Sequence, residues 1–165
     1  MNTEKNPTTG QIIEIFGPTL EFLTLPADEQ NGFCVLKGVL PPGVFIPLHS
    51  HSDREDFLVL SGESEVLKQD MEGFKWIMAK AGDYIHVPGG ARHAWRNVSD
   101  QPVVSLIITT NKLGKFFQET GRPVTSAPQL VTPEDLERFA SVCAKYDYWI
   151  ATPEENEAVG IHTSF

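Results

Sequence analysis

At 165 residues, with 13 basic and 22 acidic side chains, the chain carries a formal net charge of -9. That length suits a single domain able to bury a core without disulfides or metal, and a 41% hydrophobic content is ordinary for a soluble protein. An acidic surface with no basic run repels phosphate backbones and anionic lipid, which argues against nucleic acid and membrane surfaces as partners.

In chain order, residues 1–10 read as a loose, polar N-terminus without the charged and apolar regions of a signal peptide. No apolar run reaches the length of a membrane-spanning helix, about 18 residues, so a cytoplasmic location is the expectation. Gln11–Ile15 and Thr19–Leu25 read as short strands broken at Gly17-Pro18, and Pro26–Asn31 as a polar turn. Gly32–Leu40 is a β-rich run stopped by Pro41-Pro42-Gly43. Glu65–Gln69 and Phe74–Met78 bracket Asp70–Gly73, a hairpin turn. A strand before Pro88, one over His93–Val98 and one over Val103–Thr109 complete a set of short strands typical of an antiparallel sandwich or barrel. Lys115–Thr120 suits a short helix stopped by Gly121. Thr132 can cap a longer one, with Pro133, Glu134 and Asp135 in its first turn. Leu136, Phe139, Cys143 and Tyr146 form one apolar stripe on that helix, which predicts packing outside the β-domain or against a second subunit. Cys34 and Cys143 sit in apolar patterns and are expected as buried free thiols.

The chemistry concentrates between Gly43 and Asn97. His49 and His51 are two apart, so on one strand they share a face and can hold one ion together. Glu55 follows at the head of the apolar run Phe57-Leu58-Val59-Leu60, with Asp53 and Asp56 as competing acids. His93 arrives on a separate strand. Three imidazoles and one carboxylate make a ligand set for a divalent transition metal.

Two complete motifs carry a family resemblance. Gly43, His49, His51, Glu55 and Gly62 fill the fixed positions of one, and Gly82, Pro88, Gly90, His93 and Asn97 those of the other. The chain resembles the cupin superfamily over this stretch, and among its members is similar to the small quercetin-dioxygenase-like proteins. The resemblance implies an all-β, single-domain cupin jelly-roll β-barrel over residues 11–112, with C-terminal helices packed outside it as an extension over residues 113–165. It implies one divalent ion (Fe, Mn, Ni, Cu, Co or Zn) held by His49, His51, Glu55 and His93, with Glu55 also a proton acceptor in catalysis. It further implies a small-molecule substrate and a homodimer. The activity it suggests is a metal-dependent dioxygenase of a small aromatic, flavonol-like or diketone substrate. Non-oxidative isomerases, decarboxylases and lyases, and binding proteins without catalysis, share the same barrel. The motif glycines, Pro88 and Asn97 set turns.

Strand alternation puts Phe45 and Pro47 on the face of His49 and His51, Phe57 and Val59 on that of Glu55, and Trp95 on that of His93. Phe45, Phe57, Val59 and Trp95 are therefore expected either to line a substrate pocket beside the ion or simply to fill a small barrel. His86 is expected on the surface or behind the ligands, and His162 in solvent. Arg54 and Arg92 read as surface residues able to steer an anion, while pattern gives Tyr84 and Trp76 no place.

Overall fold

A computed structural model describes residues 9–28, 32–127 and 129–162. The loose start expected over residues 1–10 and the end of the Pro26–Asn31 turn fall largely outside the described residues.

Ten strands come first: β1 (Ile12–Glu14), β2 (Thr19–Phe22), β3 (Phe33–Leu40), β4 (Phe45–Ser50), β5 (Glu55–Ser61), β6 (Glu63–Asp70), β7 (Gly73–Lys80), β8 (Tyr84–Val87), β9 (His93–Arg96) and β10 (Val103–Thr110). Then follow α1 (Asn111–Thr120), β11 (Arg122–Pro123), α2 (Pro133–Tyr146), β12 (Trp149–Ile150) and α3 (Pro153–Ala158). Two antiparallel sheets, ordered β11-β1-β2-β3-β10-β5-β8 and β12-β4-β9-β6-β7, face each other as a jelly-roll-like sandwich. This is the all-β architecture the sequence predicts.

Alternation builds the core. On β3 and β10 every second residue is buried, and Phe22, Leu36, Val59, Trp95 and Ile107 meet between the sheets. Gly62 turns the chain from β5 into β6 with φ +78°, where a Cβ would lie 2.6 Å from the Pro102 carbonyl oxygen, so no other residue fits. Asn97, buried after β9, donates through Nδ2 to the carbonyls of Leu40 and Gln101 and so ties three connections together.

The helices lie outside the sandwich. α1 starts at Asn111, earlier than the expected Lys115, because the Thr110 side chain accepts from the Leu113 amide and caps the end of β10. α2 has the capping box formed by Thr132 and Asp135 and ends at Asp147 in the left-handed conformation. Its stripe packs on α1: Phe139 and Tyr146 meet the Phe116 ring, and Cys143 is buried beside Leu113 and Tyr148. Cys34 and Cys143 are free and buried, and burial pushes both thiols up to about 11.

The extension differs from a purely helical one. Beyond Asp147 it crosses the outer face of the second sheet, and β12 pairs with β4 through Trp149 with Ser50 and Ile150 with His49. The Leu48 amide donates to Asn156 Oδ1 at 2.9 Å, and the Trp76 indole donates to the Val159 carbonyl. Leu48, Leu67, Ala94 and Ile161 are sealed beneath this tail. Among the described residues no helix is long and apolar enough to cross a membrane.

Candidate metal centre

β4 delivers His49 directly and His51 just past its end, β5 opens with Glu55, and β9 opens with His93, which pairs with His49 across the sheet. The structure brings these four side chains together. The three histidines offer ligand atoms within 4.8 Å of one another, close to the spread of ligands around one ion, about 3 to 4 Å for bonds near 2.1 Å. Glu55 Oε2 lies 3.4 Å from His51 Nε2 and 3.4 Å from His93 Nε2, the separation of two tetrahedral ligands on one ion.

The backbone fixes which nitrogen each ring presents. His49 Nδ1 meets the Pro47 carbonyl at 2.7 Å, His51 Nδ1 the Asp53 carbonyl at 2.8 Å, and His93 Nδ1 the Ala91 carbonyl at 2.9 Å. A carbonyl only accepts, so each Nδ1 carries a hydrogen and each Nε2 keeps its lone pair for the centre. His93 Nε2 is buried there without a hydrogen bond, a group whose enclosure an ion would compensate. The donor set therefore fits a divalent transition metal.

Charge favours the same reading. Burial alone would raise the Glu55 carboxyl, but the rings of His51 and His93 hold it well below the usual carboxylate range. Enclosure, with the neighbouring imidazoles of His93 and His51, pushes His49 down to about 3. Burial works to lower His51 too, yet the Glu55 carboxylate raises it above its ordinary value. A proton on His51 competes with metal for Nε2, so affinity is expected to fall as pH is lowered, beginning above the pH at which an ordinary imidazole titrates and reaching about tenfold per pH unit once that ring is protonated. Competition titrations with a chelator at several pH values measure this directly; a flat profile would exclude His51 as a ligand.

The other acids have separate tasks. Asp56 faces outward, where His86 Nδ1 (2.6 Å) and the Tyr84 hydroxyl (2.5 Å) converge on it, so His86 is a surface residue away from the ligands. Arg54 stands 3.7 Å from the same carboxylate, Arg92 stacks over Trp149, and His162 is exposed. Asp53 is buried beside the centre and accepts from Thr110 and, at 2.5 Å, from the Tyr148 hydroxyl. The Tyr148 ring in turn packs 5.4 Å from the His51 ring. Neither Tyr148 nor Gly89 was singled out by the sequence pattern. A Cβ on Gly89 would lie 2.2 Å from the Ser52 carbonyl oxygen, so a side chain there would force apart the loops that carry His51 and His93. The double glycine after Pro88 was the signal for it.

Phe57, Val59 and Trp95 lie in the core between the sheets, and the Phe57 and Trp95 rings stand 4.7 Å apart. Phe45 does not join them. It packs on the outer face with Leu48 and Ile161, because the β4–β9 register slips between Ile46 and His49. Pro47 and Leu48 of β4 there oppose Ala94 alone of β9, the proline has no amide to donate, and the extra residue inverts the alternation.

Residues 36–109 match the cupin domain family. The chain is 32% identical over 95 residues to the dimethylsulfoniopropionate lyase DddQ of Ruegeria pomeroyi, a match covering 58% of this chain and 40% of the lyase. The aligned part of the chain thus spans about two fifths of that relative's length. Among solved structures, a Cupin 2 conserved barrel domain protein from Salinispora arenicola aligns with TM-score 0.53 and 18% identity over 86% of this chain and 98% of that one. The plu4264 protein from Photorhabdus luminescens aligns with TM-score 0.53 and 21% identity over 69% of this chain and 92% of its own. The chain has the cupin fold, and residues 36–109 are the part that matches the cupin domain family.

Proposed function

We propose that the chain is a metal-dependent lyase that acts without oxygen on a small substrate bearing a carboxylate or carbonyl group. The observation that carries this reading is the enclosed quartet, in which backbone carbonyls turn the Nε2 atoms of His49, His51 and His93 toward an ionised Glu55. Those four residues would hold the ion. A divalent metal bound there supplies a Lewis acid for a carbonyl or carboxylate oxygen. Glu55 is held ionised, so it serves as a ligand and, in any proton transfer, can accept but not donate. Its single charge leaves the loaded site with a net positive charge, which suits an anionic or polarised substrate.

One observation favours a lyase over the dioxygenase that the motifs suggest: the relative named above is a lyase by name. Dioxygenase chemistry on a diketone is the second reading, since this ligand set also suits redox-active Fe, Mn, Ni or Cu. The deciding experiment incubates metal-loaded protein anaerobically with dimethylsulfoniopropionate and other β-substituted carboxylates, and looks for an unsaturated acid. Turnover is expected without oxygen and about 100-fold lower or more in Glu55→Gln. Oxygen uptake with a diketone and no elimination would transfer the assignment to the second reading. The homodimer implied by the resemblance is part of the same proposal, and sedimentation measures it.

A further inference from the structure

The loop of residues 51–54 joins the strand that supplies His49 to the strand that opens with Glu55, and it buries an acid outside the ligand set. Asp53 is 5% exposed, and groups from three later parts of the chain converge on its carboxylate. Thr110, at the end of β10, donates to Oδ1. The Tyr148 hydroxyl donates to Oδ2 at 2.5 Å, and Lys112 Nζ of α1 stands 3.9 Å from the same oxygen. Lys112 also donates to Ser52 Oγ and lies over the Tyr148 ring, while the Thr109 hydroxyl donates to the Arg54 carbonyl.

A buried carboxylate is a costly way to hold a loop. Its desolvation offsets much of what the donors return, and apolar side chains of similar volume serve stability as well or better. What Asp53 does beyond stability is local: its own backbone carbonyl accepts from His51 Nδ1 at 2.8 Å, and His51 Nε2 on the other side of that ring lies 3.4 Å from Glu55 Oε2. The residue whose side chain Tyr148 and Thr110 fix is therefore the one that orients a ligand ring.

Tyr148 is itself firmly mounted. Its amide donates to the Cys143 carbonyl, and its ring packs 4.9 Å from Phe116 and 5.4 Å from His51. Burial, with the Asp53 carboxylate beside it, pushes the phenol up, so the hydroxyl remains a donor.

We propose that Tyr148 is a positioning residue of the metal centre: acting through Asp53, its hydroxyl holds the His51 ring with Nε2 aimed at the ion. The effect on affinity rests on the metal reading above, whereas the orientation of the ring does not.

Tyr148→Phe removes the hydroxyl and keeps the ring packing. Long-range proton–nitrogen NMR of the imidazoles at pH 9, on protein stripped of metal, reads the tautomers, and His51→Gln identifies the His51 signals. The unaltered chain is expected to carry the His51 hydrogen on Nδ1 and Tyr148→Phe to show a mixture of both tautomers. Cobalt(II) is then titrated against a chelator. Its affinity is expected to fall about tenfold in Tyr148→Phe, with the visible absorption bands displaced because one ligand has turned. Tyr146→Phe, which removes a neighbouring phenol hydroxyl, is expected to leave both readouts unchanged. Asp53→Asn is expected to reproduce part of the loss, and the double variant Asp53→Asn/Tyr148→Phe to lose less than the sum. Full additivity overturns the route through Asp53. If Tyr148→Phe lowers Tm but leaves tautomer, spectrum and affinity as they were, the hydroxyl serves the fold and the proposal falls. If the unaltered chain takes up no cobalt, the metal reading fails by itself, and the tautomers still decide whether Tyr148 orients His51.

Discussion

Protein carrying His49→Ala together with His51→Ala is expected to purify with background metal only and to gain no thermal stability when metal is added. Both rings come from one strand segment, and a backbone carbonyl holds the Nδ1 of each. The double change removes two of the four ligands and leaves His93 and Glu55, which cannot retain an ion alone. In the unaltered chain, metal at a hundredfold excess over its Kd stabilises the native state by about 2.7 kcal/mol, or about 8 °C in Tm for a domain of this size. Elemental analysis of untagged protein and paired melting curves supply both readouts. Near-stoichiometric zinc in the unaltered chain supports the Lewis-acid reading, and iron, manganese, nickel or copper moves weight to the oxidative one. Equal metal in variant and unaltered chain would dismantle the site as described.

Asn156→Ala is the second large effect, and it acts from the far end of the chain. Asn156 is buried, its Oδ1 accepts from the Leu48 amide, and its Nδ2 donates to the carbonyls of Ala151 and Thr152. Truncation leaves the Leu48 amide enclosed without an acceptor, which costs about 1–3 kcal/mol before the other two bonds are counted. A total near 3 kcal/mol, or about 9 °C in Tm, is expected. Leu48 immediately precedes His49, so metal affinity is expected to drop about tenfold as well, the usual scale for a group that orients a ligand. Asn156→Asp, which keeps an acceptor for Leu48, is expected to recover part of both. If Asn156→Ala lowers Tm but leaves metal affinity unchanged, the tail holds the fold and not the ligands.

The sequence made the centre of the molecule legible and its periphery much less so. Local signals carried the strands: Pro41-Pro42-Gly43, Gly62 and the Asp70–Gly73 turn each stop one run and start the next, and those boundaries recur in β3 to β7. His49, His51, Glu55 and His93 were readable because their spacing is set by strand geometry, and strand geometry is local. Phe45 was misplaced because a bulge adds one residue between Ile46 and His49, and alternation carries no memory across a bulge. Tyr148 and Asn156 were missed for another reason: their partners, Asp53 and Leu48, lie 95 and 108 residues away, and no periodic pattern spans such a distance. One signal for α3 was present. Thr152-Pro153-Glu154-Glu155 repeats the capping arrangement of Thr132-Pro133-Glu134-Asp135, and both form capping boxes.

The pairing of β12 with β4 also sets an order of events in the cell. The strand that carries His49 is flanked by β9 on one side and by β12 on the other, and β12 follows it about 100 residues later in the chain. Synthesis at about 5–20 residues per second puts several seconds between the appearance of His49 and that of its last neighbour. Until then one edge of β4 lacks its partner, so the strand that supplies His49, and the Leu48 amide beside it, are completed only when the C-terminal segment has folded back onto the sheet.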